Sequence, residues 1–317
     1  MGVHSKASIA KNWPERGTPL STALAQFDEA ADYRAERLRR EQREWGMMLI
    51  AYGDDSYDKK EARVFAAAAV VARQGDWDAF LPKWKTRNPI PFHATDCDSD
   101  QGDYQGRDHW ENKTLYASNV RQFVDSPLIG AGVAISIPDY WEVFPFAPPD
   151  KWWPYYLCFA GVLSSICSIA RLSIPPETIK VTFDNDPRKE FNSGQIFDFI
   201  GNQPGSLAPC LEDGIEFRNH RTTPALQVAD LLARETMKDL DNRIGQNVRW
   251  PRQSLIELLR SKRFATVLYD RPKLEEHRAI ADSLHADPEK GRAFTKWLAS
   301  NGIKDSIHTR FRFIAEG

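Results

Sequence analysis

Apolar and polar positions alternate along the chain in blocks that change period. Met47–Tyr52 is a short apolar run of strand length, and Val64–Ala72 is a longer continuous one. Alanines leave the second run open to helix or strand, but the charged stretch "DDSYDKKEAR" between them reads as a hairpin turn and favours strand. "FHATDCDSDQGDYQG" (Phe92–Gly106) is a polar loop, and "HWENKTLYASNVRQFVDS" has the period of an amphipathic helix. "IGAGVAISIP" (Ile129–Pro138) is a strand closed by proline, followed by an aromatic, proline-rich insert over 140–156. Trp152–Ala170 is uncharged throughout, and its serines and its flanking sequence make it a buried helix rather than a membrane span. Then come the strand Ile179–Asn185, the short helix "SGQIFDFIGN", the strand Gly214–His220 and the helix "TPALQVADLLARETMKDLDNR". From Val248 onward every segment looks helical, and Phe27–Trp45 is a highly charged helix. Strands alternating with helices predict an α/β layer fold on a mixed sheet. Three regions are expected: a partly helical N-terminal arm over 1–45, a core over 46–245 and a helical extension over 246–317.

The acids sit where this pattern changes. Asp54 follows the first strand, Asp184 ends "KVTFD", and Asp230 interrupts the apolar helix "ALQVADLLARE". Aspartate is a poor helix former, so one in the middle of an apolar helix needs a reason. Open α/β sheets form their sites outside the carboxyl ends of strands, where two strand-end acids and one helix acid can meet. Three gathered carboxylates repel unless a cation neutralises them. Mg²⁺ or Mn²⁺ suits such an all-oxygen set, and two ions roughly 3.5–4 Å apart activate water and stabilise the leaving oxygen in phosphodiester cleavage. The competing structural account makes Asp54 and Asp184 turn residues and pairs Asp230 with Arg234 one helical turn on.

"YGDDS" resembles the "DESG" opening of the domain of unknown function 3800 family. The resemblance continues through "FHATD", "VTFDND" and "ALQVADLLA", in the same order, over about residues 47–243. It implies a ribonuclease H-like fold with Asp54, Asp184 and Asp230 as metal ligands, Gln227 supporting the helix acid, and Asp55 at the family's glutamate. Tyr57 stands where the family has glycine. The expectation is a divalent-metal-dependent nuclease; the alternative is a catalytically silent ribonuclease H-like binding or regulatory module.

The net charge of −2 gives no global attraction to nucleic acid, so any such surface is a local patch. The run Arg249–Arg263 supplies one, with Arg249, Arg252, Arg260, Lys262 and Arg263 as candidate phosphate contacts. His93 and Asp96 are placed at the border of the cleft, His93 as a general acid, a phosphate contact or a structural loop residue. "DCDSDQGDYQGR" starts like a calcium loop but has Gln101 for its turn glycine and Arg107 for its closing acid. The aromatic insert either packs or meets a protein partner or a second copy of the chain. Four widely spaced cysteines and the lack of an apolar N-terminal segment place the protein in the reducing cytoplasm, off the membrane.

Overall fold

The computed structural model describes residues 48–58, 63–145, 153–172, 177–186, 193–198, 210–244 and 248–285. The helices expected at Phe27–Trp45 and beyond residue 285 lie outside them.

The order of elements is β1 (Met48–Tyr57), β2 (Val64–Arg73), α1 (Gln74–Arg87), α2 (Ala94–Ser99), α3 (His109–Val124), β3 (Ile129–Ser136), α4 (Ile137–Val143), α5 (Trp153–Leu172), β4 (Thr178–Asp184), β5 (Leu211–Arg218), α6 (Pro224–Ile244), α7 (Gln253–Arg260), β6 (Phe264–Tyr269) and α8 (Arg271–His285). Among the described residues, six strands form one sheet in the order β5-β4-β1-β2-β3-β6. β1–β2 and β2–β3 are antiparallel; β1–β4, β4–β5 and β3–β6 are parallel. This is the mixed sheet with flanking helices that the alternating pattern predicts.

One open reading is settled as favoured, and two elements differ from expectation. β2 is a strand, its alanines filling a central position covered by helices on both faces. α1 occupies a stretch with no expected element. Its buried stripe Trp77, Phe80, Trp84 has helical spacing, and Pro82, which obscures the pattern, lies on the exposed side. β6 replaces an expected helix. It lies beside β3, so the region expected as a separate extension completes the sheet. Its short alternating run is flanked by two strongly helical patterns that mask it.

β1 is also longer than its apolar run. It continues through the acids to Tyr57, paired with β2, and Asp58 then closes the hairpin by accepting from the Arg63 and Val64 amides at 2.9 and 3.2 Å. α5 covers one face of the sheet, with Phe159, Leu163 and Ile166 wholly buried. It is long and apolar enough to cross a membrane, yet it packs on β2 and β3 as a core helix. Of the described aromatics of the insert, Tyr140, Phe144, Trp153, Tyr155 and Tyr156 belong to this same core, and Trp141 packs against it.

α6 covers the other face and is itself covered by α1, α2 and α7, and Tyr116 of α3 donates to its Glu235. This burial on nearly all sides explains why its polar residues are inside. α6 approaches β3 closely: a Cβ on Gly132 would stand 2.1 Å from Thr236 Oγ1. At Gly53, beside the first acid, a Cβ would stand 2.3 Å from the Phe183 ring. Gly53→Ala is therefore expected to push Phe183 and β4 aside and to cost about 1–3 kcal/mol, read as a lower midpoint in chemical denaturation. An unchanged midpoint would show that the ring can move freely.

Candidate active site

The parallel register of β1 and β4 ends at Gly53↔Phe183. The next residues, Asp54 and Asp184, therefore stand side by side on adjacent strands. Side chains alternate, and Ala51, Val181 and Phe183 belong to the α5 face. Asp54 and Asp184 thus belong to the α6 face, where Ile50 and Ala68 contribute to the second core. Ala68, opposite Asp54 on β2, leaves room for the carboxylate. Asp230 comes from α6. All three acids line one cavity of about 650 Å³ with His93, His220 and Lys238, within the size range of small-ligand sites.

One oxygen of each carboxylate is held by a main-chain amide. Asp54 Oδ1 accepts from its neighbour Asp55 N at 2.7 Å, Asp184 Oδ1 from His220 N at 2.9 Å, and Asp230 Oδ2 from Ala94 N at 2.7 Å. Burial, then the charges of Asp230, Asp184 and Asp55, push the Asp54 carboxyl well above its ordinary range. Burial also raises Asp230, opposed by His93, the Ala94 amide, His220 and Arg234. The competing pairing of Asp230 with Arg234 is not found: the Arg234 guanidinium donates to Asp98, at 2.9 and 3.3 Å.

Oxygen donors of this kind fit Mg²⁺ or Mn²⁺ in charge and hardness. Among the described residues, however, no group of three or more His, Cys, Asp or Glu is placed so that it could hold an ion as it stands. The cluster is gathered around the cavity rather than closed on one point.

The supporting residues take different places. Strand alternation turns Asp55, a cavity-border residue, toward the α5 face, because β1 continues where a turn was expected. There burial, followed by the Asp55 charge, pushes Tyr155 and Cys158 upward. Gln227 supports a loop rather than Asp230 itself. It accepts from Trp84 Nε1 and donates to the His220 carbonyl, both at 3.0 Å. His93 Nδ1 lies 3.1 Å from Asp96 Oδ2, without the alignment of a hydrogen bond. Asp96 does not line the cavity. The aspartates that resemble a calcium loop diverge: Asp96 faces His93, Asp98 holds arginines, and Asp100 meets His109 and Asn112.

His220 was not singled out by the sequence pattern. Its ring stacks on His93 at 5.6 Å between centroids. Its Nδ1 is 3.4 Å from Asp184 Oδ1, and that contact raises its pKa against the opposing effect of burial. The available signal was position: His220 follows β5, which runs beside β4 and reaches the same sheet edge as Asp184.

The basic run does not wall the cavity. None of Arg249, Arg252, Arg260, Lys262 and Arg263 lines it. Arg249 pairs with Asp241 at 3.0 Å. Arg252 turns inward to Asp98 and Glu235 and lies over the Tyr116 ring at 5.2 Å, so it is a structural cation. Arg260, Lys262 and Arg263 stand at the start of β6, three strands from β1. The two arginines of the Asp98 cluster were hidden because their partner lies more than a hundred residues away in the chain.

All four cysteines are buried. Comparison with protein-family models and with curated proteins finds no match.

Proposed function

We propose that this protein is a divalent-metal-dependent phosphodiester hydrolase acting on nucleic acid, built on a ribonuclease H-like core. The observation that carries the reading is the convergence of Asp54, Asp184 and Asp230 on one cavity, from adjacent strands and a facing helix. The mixed sheet is compatible with the ribonuclease H-like expectation, and the resemblance of "YGDDS" and "ALQVADLLA" points the same way. Asp54, Asp184 and Asp230 would hold the Mg²⁺ or Mn²⁺. Such an ion supplies an activated water and neutralises charge on the phosphate. Main-chain amides orient the three carboxylates before an ion arrives, which limits their reorganisation to side-chain rotation. The Trp84–Gln227–His220 chain of hydrogen bonds fixes the loop that anchors Asp184.

The alternative reading is a binding or regulatory module on the same core, without turnover. Incubating the protein with labelled single- and double-stranded DNA and RNA in Mg²⁺, Mn²⁺ or EDTA separates the two. Cleavage only with Mg²⁺ or Mn²⁺ supports the hydrolase. Binding without cleavage under every condition supports the module.

A further inference from the structure

We infer that the cavity has a second, cationic wall, made by Arg234 and Lys238, that holds a backbone phosphate other than the one attacked. This rests on the nucleic-acid reading above and adds where the strand lies.

Asp230, Arg234 and Lys238 are spaced four residues apart on α6, and all three line the cavity. That spacing stacks them on one helix face, with about 6 Å of rise between successive members. The acid marks one end of the stripe. Lys238 is then about 12 Å along the axis from Asp230, too far to share the same phosphate. A single strand entering at the acids and running along α6 would place a neighbouring phosphate against the cations.

The charges on this wall are not balanced from within. Asp241 is shared by Arg63 at 3.1 Å, Arg249 at 3.0 Å and Lys238 at 3.8 Å. The two arginines take its two oxygens, and the lysine is left beyond hydrogen-bond distance. Asp98 is likewise shared, among Arg234, Arg252 and Lys113. Lys238 is only about a quarter exposed, and burial followed by the Arg234 charge pulls its ammonium below the ordinary lysine range. A desolvated cation beside another cation, with an acid that two arginines already occupy, is stabilised by an incoming anion. Arg234, by contrast, is held rigidly: its side chain is 8% exposed and bonded to Asp98. It supplies fixed positive potential while Lys238 supplies the contact.

The test uses the full chain and a short fluorescent single strand, as DNA and as RNA, in Ca²⁺ to occupy the acids without turnover. Lys238→Gln is expected to weaken binding of whichever strand binds by roughly tenfold and to flatten the salt dependence by up to about one unit. Lys238→Arg should keep affinity within a few-fold. Melting temperatures of both variants, with and without Ca²⁺, should match the parent, because neither the fold nor the acids are altered. Equal affinity and salt slope for the parent and Lys238→Gln overturn the inference, and leave the hydrolase reading intact if Mn²⁺ still supports cleavage. Failure of the parent to bind either strand overturns both. Binding that depends on Lys238, without cleavage in Mg²⁺ or Mn²⁺, supports the inference while removing the hydrolase reading.

Discussion

Asp230→Asn is expected to remove metal-dependent hydrolysis, by at least about 10²–10³-fold, while the protein stays folded. The asparagine side-chain oxygen can still accept from the Ala94 amide, which now meets Asp230 at 2.7 Å. The variant thus keeps the hydrogen bond and loses the charge. In the metal-free protein that charge is unfavourable, because Asp230 is buried and raises its neighbour Asp54. Stability without metal should therefore hold or rise slightly. The stabilisation that Mg²⁺ or Mn²⁺ gives to the parent should shrink, since ligand binding to the native state stabilises it by an amount that grows with the logarithm of affinity. Melting curves of both proteins across a metal series make the comparison. An equal metal-induced rise in both would exclude Asp230 as a ligand. A fall in stability with full activity would return it to a structural role.

The second large effect lies one turn away. Asp98 accepts from Arg252 at 2.7 and 2.9 Å, from Arg234 at 2.9 and 3.3 Å and from Lys113 at 3.0 Å. Glu235 joins the same cluster through Tyr116, Ser254 and Arg252. Asp98→Asn leaves the Arg252 guanidinium with Glu235 alone and takes the carboxylate partner from the buried Arg234, and breaking such a cluster costs about 3–5 kcal/mol. The pH dependence follows from sign. Burial acts to raise the Asp98 carboxyl, but Arg252, Arg234 and Lys113 outweigh it and hold it well below its ordinary range. Its contribution is then fully present above the unfolded value of about 4. It is lost as pH falls from there toward the depressed native value. Denaturation of parent and variant at neutral pH and in acid should show a gap that narrows only on the acid side. A gap independent of pH would mean that packing, not charge, holds the cluster.

How much was legible depended on whether the signal was local. The three acids could be marked because each breaks a local rule: Asp54 ends an apolar run, Asp184 ends an apolar strand, and Asp230 interrupts an apolar helix. Their convergence needed only the parallel pairing of β1 with β4 and the facing position of α6. The face of Asp55 was not legible because strand alternation decides it, and the apolar run ended five residues before β1 does. β6 was misread because six residues between two amphipathic helices carry too little period to compete with them. The ion cluster is non-local: nothing near Arg252 or Arg234 announces Asp98, so a run of arginines resembled a phosphate surface. His220 was legible only by reference to β4, once β5 was known to lie beside it.

The most direct measurement is anomalous diffraction from crystals soaked in Mn²⁺, for the parent and for Asp230→Asn. The parent should show manganese bonded to oxygens of Asp54, Asp184 and Asp230, with the carboxylates drawn closer than in the metal-free arrangement, and the variant should lose or weaken that peak. Manganese bound elsewhere, or a cavity without manganese at saturating concentration, would contradict the three-carboxylate site.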